Sequence, residues 1–425
     1  MAKGSKKKTL KVFVVAGEAS GDVLGGPILE LLRRIVEYDH PKTKLIIQGV
    51  GGPCMQELGG FESIVPMETF AVMGPAIVWR LPRLIKAFGA VKQALLDFKP
   101  DVLLTIDAPE LSFRLAKLAP KGVRRVHCVA PSVWAWRPGR AAKVAKFLDH
   151  LCVLFPFEPP YFTKHGLKAT FVGHPKAEDY LPPAADFWNF LDAQDKNALD
   201  AKQEDPSADY DLEGNPAEPQ AVALARRLLV LMPGSRRQEV KTLWPLFFQT
   251  AALLEPIVPD LTIAVLAAPG MARYLKNCPL HWLRLEGRER HEQALGAATC
   301  ALVTSGTATL EVALAGCPMV VAYKVGPLLG VLLKRLIKTP FVALPNILSG
   351  KLVVPECLQS ASEPKIMAPL LLDLLKQQEA YRLQRHYLLG LRERLQSLEG
   401  QPNPHTFGAR VAQVVLTEAG FPPLI

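Results

Sequence analysis

The chain has 425 residues, more than a single hydrophobic core usually serves, so we expect two domains. Hydrophobic residues make up 49 % and charged residues 21 %, which is typical of a globular protein rather than a disordered one. The formal net charge of +10 favours phosphate-bearing partners, but composition does not choose among nucleic acid, nucleotides and anionic lipids.

In the first part of the chain, short apolar segments alternate with segments of helical spacing. The apolar segments are rich in β-branched residues and bounded by Gly, Pro or Asp, as buried strands are. The predicted strands are Leu10–Ala16, Leu45–Gly49, Val102–Ile106, Arg125–Val129, His150–Leu154 and Ala169–Val172. The predicted helices are Leu24–Glu37, Leu81–Phe98 and Arg140–Phe147. This alternation predicts a doubly wound parallel sheet.

The segment Leu181–Gln220 interrupts the alternation with ten acidic residues, two lysines and five prolines. We interpret it as an acidic inter-domain insertion. A second alternating series follows. Its predicted strands are Leu228–Met232, Leu261–Ala267, Cys300–Thr304 and Met319–Ala322, and a helical stretch covers Pro364–Leu398.

The chain therefore reads as an α/β protein with two Rossmann-like sheets. The expected boundaries are 1–180 for the first domain, 181–220 for the insertion and 221–399 for the second domain. The last helix, within 400–425, is expected to complete the first domain of its own or of another chain. If the sheets face a shared cleft, ligands should bind there, beyond the carboxyl ends of the strands.

Two motifs of the first domain follow predicted strands. After the first strand, glycines permit close approach of a ligand, and Ser20 or Asp22 could cap the next helix; an ordinary strand-to-helix turn is the alternative. The candidate binding residues in this turn are Gly17, Glu18, Ser20 and Gly21. Asp107 ends another strand and can accept a proton from an attacking hydroxyl, or it can form a turn or helix cap before Pro109.

Two further motifs belong to the first domain. The Gly-rich turn 49–52 lacks the third glycine of a dinucleotide fingerprint, so no dinucleotide cofactor is expected. In the segment 131–140, Trp134 and Trp136 precede Arg137 and Arg140. Aromatic faces and guanidinium groups suit sugars, bases and phosphates, whereas a buried Trp pair with solvated arginines is the alternative.

The second domain has two loops suited to a diphosphate, because helix amino termini and arginines attract anions. Each can also be read as a capped helix start with surface charges. The candidate residues are Gly234, Ser235 and Arg236 after one strand, and Ser305, Gly306, Thr307, Thr309 and Glu311 after another. Glu311 could hold ribose hydroxyls. Asn346, on a later loop, can contact a base or a phosphate.

Two apolar stretches with flanking basic residues fit a surface that meets anionic lipid, although core helices explain them as well. The first covers residues 70–81 and the second 325–341. The membrane-facing candidates are Val72, Met73, Ile77, Trp79, Leu332, Lys334 and Arg335.

Other site types are not indicated by the sequence. Seven cysteines without a C-x-x-C pair predict free thiols in a cytosolic protein. Scattered histidines and the lack of a Cys/His/Asp cluster predict no metal site. The sequence contains no uncharged apolar stretch of about 18 residues, so no transmembrane helix is expected. No nucleic-acid-binding module is recognised, so no nucleic acid partner is expected.

Taken together, the motifs resemble those of lipid-A-disaccharide synthases, glycosyltransferases of the GT-B class in family 19. The resemblance rests on eight strings in the family's order: VAGEASGD, GVGGPCM, IDAPE, PSVWAWRPGR, FVGHP, MPGSRRQEV, SGTATLEVAL and LPNIL. It covers nearly the whole chain. The sequence departs from the family in the long 181–220 segment and at Glu110, where the family usually has Asp.

The resemblance implies an inverting transfer from UDP-2,3-diacylglucosamine to 2,3-diacylglucosamine 1-phosphate (lipid X), which gives a β-1,6-linked disaccharide 1-phosphate and UDP in lipid A biosynthesis. It implies Asp107 as the base and Arg236 with the Ser305–Thr309 turn as stabilisers of the leaving UDP. Glu311 would bind ribose and Asn346 the nucleotide, and no metal or cofactor would be needed. The enzyme would be cytoplasmic and peripherally bound to the inner membrane, as a monomer or homodimer.

Two alternatives remain open at this point. A GT-B enzyme acting on soluble UDP-N-acetylglucosamine, such as an epimerase, would share the fold and the nucleotide. A non-catalytic lipid-binding protein on the same scaffold would bind UDP without turnover.

Overall fold

The computed structural model describes residues 8–70, 77–135, 138–200, 226–326, 339–396 and 406–422, with side chains left out at 77–80 and 194–200. The chain divides into two compact units. The first unit comprises Met1–Glu178 and Glu393–Ile425, and the second comprises Asp179–Arg392. The chain therefore leaves the first unit once and returns to it near its end.

The described part of the first unit contains a six-stranded parallel sheet in the order β2-β1-β3-β4-β5-β6. Its strands are β1 (Lys8–Ala16), β2 (Thr43–Val50), β3 (Val102–Ile106), β4 (Arg124–Cys128), β5 (His150–Val153) and β6 (Lys168–Phe171). Strands β1 and β3 are mostly apolar because helices cover both faces of the sheet. Val12, Val14 and Leu104 are fully buried in this core.

Helices from both ends of the chain cover this first sheet. They are α1 (Ala19–Asp39), α2 (Pro53–Gly59), α3 (Ile77–Phe98), α4 (Pro109–Leu118), α5 (Gly139–Val144), α6 (Pro159–Thr163) and α14 (Phe407–Glu418). Helix α14 packs on α1 and on the strands β3 to β5, with Val411 and Val415 fully buried. A segment more than 200 residues away in sequence thus completes the core of the first unit.

The described part of the second unit also contains a six-stranded parallel sheet, in the order β12-β11-β10-β7-β8-β9. Its strands are β7 (Arg227–Met232), β8 (Leu261–Leu266), β9 (Leu283–Leu285), β10 (Cys300–Thr304), β11 (Met319–Tyr323) and β12 (Glu356–Leu358). Its helices are α7 (Ala184–Asp200), α8 (Arg237–Leu254), α9 (Arg288–Ala297), α10 (Ala308–Leu314), α11 (Leu344–Ser349), α12 (Pro364–Leu375) and α13 (Glu379–Gln396), which runs on into the first unit. Short 3₁₀ turns lie at Met67–Thr69, Pro175–Ala177, Ala272–Tyr274 and Gln359–Ala361.

The prediction of two doubly wound α/β sheets is confirmed, and all ten predicted strands are present within two residues of their expected ends. Two three-residue edge strands, β9 and β12, were not predicted. The single helical stretch predicted over Pro364–Leu398 is wrong, because α12 and α13 are separate helices. The chain breaks between them where Gln377 has φ 52°, a left-handed conformation that an α-helix excludes.

Helix α7 occupies half of the segment interpreted as an acidic insertion. Its Phe187 is buried, Arg290 lies 3.7 Å from the ring centre of Phe190, and Asp192 accepts a hydrogen bond from Arg226. Residues 184–200 therefore form a helix that packs on α9 of the second unit, rather than an irregular connection. Residues 201–220 lie outside the described part of the chain.

Within the described residues, no helix has both the length and the apolar character that crossing a bilayer requires.

Candidate active site

The first sheet brings two of the predicted motifs together at its topological switch point. Strands β1 and β3 are neighbours, and β2 lies on the far side of β1, so strand order reverses between β1 and β3. Ligands of open α/β sheets bind beyond the carboxyl ends of the strands at such a point. Ser20 lies in the first turn of α1, which follows β1, and Asp107 follows β3 directly. Ser20 Oγ donates a hydrogen bond to Asp107 Oδ2 at 2.7 Å.

The backbone holds Asp107 in an unusual conformation. Asp107 has φ 51° and Ala108 has φ 42°, two consecutive left-handed residues that are not glycine. The Asp107 N–H donates to the Cys128 carbonyl at 3.0 Å, and Ser112 Oγ donates to the Asp107 carbonyl at 2.7 Å. Strain of this kind costs on the order of 1–3 kcal/mol per residue and is found mainly at functional sites.

The glycines of the first motif allow this close approach. A Cβ added to Gly17 would lie 2.9 Å from the Ala108 Cβ, and one added to Gly21 would lie 3.0 Å from the Ile106 carbonyl oxygen. Both contacts are too short for a side chain to be tolerated without movement. Glu18 follows Gly17 in this turn and is half-buried. Gly17 and Gly21 therefore press the first loop against the loop of Asp107.

The expectation that Ser20 or Asp22 caps the following helix is wrong. Helix α1 begins after Glu18 without a side-chain cap. Asp22 is buried and accepts hydrogen bonds from the N–H groups of Cys54 at 3.1 Å and Met55 at 2.9 Å. It therefore caps the start of helix α2, in the second Gly-rich turn of the sequence.

The second sheet has its own switch point, between β7 and β10, and a cavity of about 470 Å³ opens there. Both predicted phosphate-binding loops reach it. Its lining residues are Met232, Gly234, Ser235, Arg236, Glu239, Leu266, Ala268, Pro269, His291, Thr304, Ser305, Gly306, Thr307, Ala308 and Glu311. Seven of the eight candidates predicted in these loops line the cavity, and Thr309 does not.

Backbone donors and a guanidinium meet at one side of this cavity. The Arg236 side chain is 81 % exposed and its Nη1 donates to Glu239 Oε1 at 2.8 Å. The N–H groups of Ser235 and Arg236, at the amino end of α8, point to Glu239 Oε2 at 3.3 and 3.2 Å. Such a group of donors can bind an anion. Glu239 is not among the residues predicted from the sequence, although a Glu at the third position of a helix is a capping signal.

Other hydroxyl groups near this cavity differ in their availability. Thr304 Oγ1 is buried at the cavity without a hydrogen-bond partner. Thr309, in contrast, donates to the Gly306 carbonyl at 2.7 Å and accepts from the Leu344 N–H at 3.2 Å. Thr309 thus fixes the loop, and the interpretation of its side chain as a ligand-binding group does not fit. Ser305 Oγ donates to the Val342 carbonyl at 3.1 Å.

Asn346 is fully buried, which does not fit the predicted contact with a nucleotide. Its Oδ1 accepts from the N–H groups of Val353 at 2.7 Å and Val354 at 2.9 Å. Its Nδ2 donates to the Val354 carbonyl and to Glu356 Oε1, both at 2.8 Å. Asn346 therefore positions the segment around α11, from which Leu344 reaches Thr309.

A third group of residues lies at the carboxyl ends of β4, β5 and β6. Trp134 contacts Phe157, which stacks on Phe155 with ring centres 5.6 Å apart. Glu158 is buried among them and accepts hydrogen bonds from Trp134 Nε1 and from the N–H groups of Leu154 and Phe155, each at 3.1 Å. Neither Glu158 nor the cavity residue His291 is among the residues predicted from the sequence. Trp136 and Arg137 lie outside the described residues.

The structure does not describe the predicted membrane-facing side chains. Val72, Met73, Leu332, Lys334 and Arg335 lie outside the described residues, and only the backbone is described at Ile77 and Trp79. Among the described residues, no group of three or more His, Cys, Asp or Glu side chains could hold a metal ion.

Two doubly wound sheets, each with polar residues at its switch point, define an enzyme of GT-B fold. Solved structures of this fold resemble the chain. A putative UDP-N-acetylglucosamine 2-epimerase from Listeria monocytogenes has a TM-score of 0.57 at 12 % identity, covering 96 % of this chain and 95 % of its own. The UDP-GlcNAc 2-epimerase of Neisseria meningitidis, bound to UDP-GlcNAc, has a TM-score of 0.53 at 12 % identity, covering 96 % and 99 %. Identities this low show the fold alone.

Sequence relatives identify the family. The lipid-A-disaccharide synthetase family model matches residues 12–199 and 210–401. Lipid-A-disaccharide synthase of Rhodospirillum centenum is 40 % identical over 85 % of this chain and 84 % of its own. The enzyme of that name from Pseudomonas aeruginosa is 40 % identical over 86 % and 89 %. The chain belongs to the lipid-A-disaccharide synthetase family and is a glycosyltransferase, which confirms the family predicted from the motifs.

Proposed function

We propose that this chain joins UDP-2,3-diacylglucosamine to 2,3-diacylglucosamine 1-phosphate, giving a β-1,6-linked disaccharide 1-phosphate and UDP. The observation that carries the proposal is the Ser20–Asp107 pair at the first switch point, in a chain whose relatives are named lipid-A-disaccharide synthases. A single carboxylate held in a strained backbone suits one proton transfer, which is all that a direct displacement needs.

In this proposal Asp107 is the general base. The acceptor hydroxyl oxygen forms a bond to the anomeric carbon of the donor while the bond from that carbon to the UDP oxygen breaks. The hydroxyl proton passes to Asp107. Because Ser20 donates to Oδ2, it orients the carboxylate and leaves Oδ1 to receive the proton. One displacement inverts the anomeric carbon and needs no covalent sugar–enzyme intermediate.

The leaving UDP would bind in the cavity of the second unit. Negative charge develops on the diphosphate as the bond breaks, so fixed N–H donors and a guanidinium stabilise the transition state. Ser235 and Arg236 supply these groups, and the cavity hydroxyl of Thr304 supplies another donor. Glu311, which also lines the cavity, would hold the ribose hydroxyls. A cavity of about 470 Å³ is large enough for a nucleotide-sized ligand.

The acylated substrates require the enzyme to reach the cytoplasmic surface of the inner membrane. At the end of the apolar stretch 70–81 and just beyond it, helix α3 exposes two large apolar side chains, Leu81 at 47 % and Ile85 at 63 %. Arg83 and Lys86 are exposed beside them. Apolar groups flanked by cations favour the surface of an anionic bilayer. We propose that this end of α3 and the stretch before it contact the membrane.

Asp107→Asn tests the reaction and the base together. Purified protein would be given both acylated substrates without added metal, and UDP release and disaccharide formation would be followed. We expect kcat to fall by about 10²–10⁴-fold, because the amide cannot take the proton, while the Kd of UDP stays unchanged. Glu110→Gln is the matched control, since this neighbouring carboxylate is 85 % exposed and should be dispensable.

Two outcomes would contradict the proposal. Undiminished turnover by Asp107→Asn would exclude Asp107 as the base. No disaccharide from the unaltered protein, combined with epimerisation of UDP-N-acetylglucosamine, would favour the soluble-substrate alternative. Binding of UDP with neither activity would favour a non-catalytic scaffold.

A further inference from the structure

The amino end of α8 already binds a carboxylate of the same chain, that of Glu239. Glu239 Oε2 accepts hydrogen bonds from the N–H groups of Ser235 and Arg236, and its Oε1 accepts one from the Arg236 guanidinium. One carboxylate therefore uses three donors that line the cavity. A phosphate group bound at a helix amino end uses donors of the same kind.

Glu239 is a fixed part of this site and not a solvated surface charge. Its side chain is 17 % exposed, against 81 % for Arg236. It packs under the loop at Gly234, where an added Cβ would lie 2.8 Å from the Glu239 Cβ and 3.1 Å from its Oε2. Gly234 has φ +123°, a conformation that favours glycine. The loop and the carboxylate are thus fitted to each other.

The proposed function assigns the same donors to the diphosphate of UDP. A carboxylate and a phosphate oxygen cannot both accept a well-aligned bond from one N–H group, and two anions at that distance repel each other. Glu239 must therefore leave these donors when the diphosphate binds. A retained Glu239 would place a negative charge against the group that the site has to stabilise.

We propose that Glu239 is a positioning residue that occupies the phosphate site while the site is empty. Its carboxylate keeps the Ser235–Arg236 loop and the Arg236 guanidinium in the phosphate-binding arrangement, gives way to the diphosphate, and returns when UDP departs. The inference rests on the proposed function. Displacement of a resident anion weakens UDP binding and speeds UDP release, which suits a product that must leave after each turnover.

Glu239→Gln tests this displacement, because the amide has the same shape without the charge. Calorimetry should give a Kd for UDP about tenfold lower than that of the unaltered protein, and stopped-flow displacement should show slower UDP release. The Kd of uridine should not change, since uridine has no phosphate to displace the carboxylate. Glu379→Gln is the matched control, an exposed Glu on α13 of the same unit.

The sign of the change separates displacement from a purely structural role. If Glu239 only supports the loop, Glu239→Gln will weaken UDP binding, and that result overturns the proposal. An unchanged Kd also overturns it while leaving the proposed function intact. If the unaltered protein binds no UDP, the proposed function fails together with the displacement.

A crystal structure of the unaltered protein with UDP gives a second test that does not depend on folding of the variant. We expect a phosphate oxygen within about 3 Å of the Ser235 and Arg236 nitrogens, with the Glu239 carboxylate turned away. If the carboxylate remains on both N–H groups in that complex, the proposal is wrong.

Discussion

Two carboxylates show how a single residue changes the interpretation of a Gly-rich turn. Asp22 accepts the N–H groups at the start of α2, and Glu239 accepts those at the start of α8. Both turns combine glycine with a helix start, a pattern that is common to helix caps and phosphate loops. The α8 turn lines a cavity, so a ligand can compete there with the carboxylate.

Glu158 provides a prediction at the residue scale. Burial raises the pKa of its carboxyl to about 7, although three N–H donors oppose the shift. Between about pH 4.5 and 7 the folded state holds a proton that the unfolded state has lost, so this group makes the protein less stable as pH rises. We expect Glu158→Gln to abolish this fall in the free energy of unfolding, which amounts to roughly 2–4 kcal/mol between pH 4.5 and 7.

Urea unfolding of the unaltered protein and of Glu158→Gln at several pH values in this window would measure the difference. The exposed Glu110→Gln variant is the control and should follow the unaltered protein. If the free energy of unfolding changes with pH in the same way for the unaltered protein and Glu158→Gln, the pKa of the Glu158 carboxyl is not raised.

At the scale of elements, a buried carboxylate of helix α14 adds polar contacts with the sheet to the apolar packing of this helix. Glu418 accepts hydrogen bonds from Arg124 Nε at 2.8 Å, His150 Nδ1 at 3.1 Å and Lys168 Nζ at 3.0 Å, from three neighbouring strands. Burial raises the pKa of Glu418, but the hydrogen bonds from Lys168, His150 and Arg124 outweigh burial and lower it to about 2. The charge therefore favours docking of the helix.

Glu418→Gln should loosen this helix. We expect a loss of about 2–3 kcal/mol at pH 7, below the value for a fully buried pair because the side chains of Arg124 and Lys168 are 41 % and 63 % exposed. The contribution is present above the unfolded pKa of about 4.5 and is lost as pH falls toward 2. Hydrogen exchange of the α14 amides would measure the change. Thr417→Ala, at the exposed neighbouring position, should not alter exchange, and equal protection in both variants would refute the attachment.

At the scale of the whole molecule, the proposed function requires the chain to bind two substrates and to meet a lipid surface. The proposed contact with the bilayer is the stretch 70–81, which ends at the exposed Leu81, together with the exposed Ile85 beyond it. The triple change Met73→Ser, Ile77→Ser and Trp79→Ser should reduce binding to anionic phosphatidylglycerol vesicles several-fold, because it removes apolar area that would enter the bilayer.

Co-sedimentation with such vesicles would measure the bound fraction. A double variant with Leu280→Ser and Leu352→Ser is the control, since it removes exposed apolar side chains from the second unit. If the triple variant binds as well as the unaltered protein, the stretch 70–81 is not the membrane contact.

The sequence by itself determined the two sheets, their long strands and the family. Runs of β-branched residues are local signals, and the motifs are contiguous strings, so both can be read without knowing which segments meet. The strands β9 and β12 could not be predicted in this way, because a strand of three residues is too short to show a hydrophobic pattern. Helix α7 was obscured by its acidic residues, although its buried face is aromatic.

Only the tertiary structure decided which residues act together. Ser20 and Asp107 are 87 residues apart, and they meet because β1 pairs with β3. Asn346 is a loop candidate in the sequence, but it lies buried in helix α11 with hydrogen bonds to Val353, Val354 and Glu356. The Glu239 carboxylate binds the N–H groups at the start of α8, because α8 follows β7 after a short loop. Strand order and side-chain partners depend on packing across the whole chain, and no local pattern encodes them.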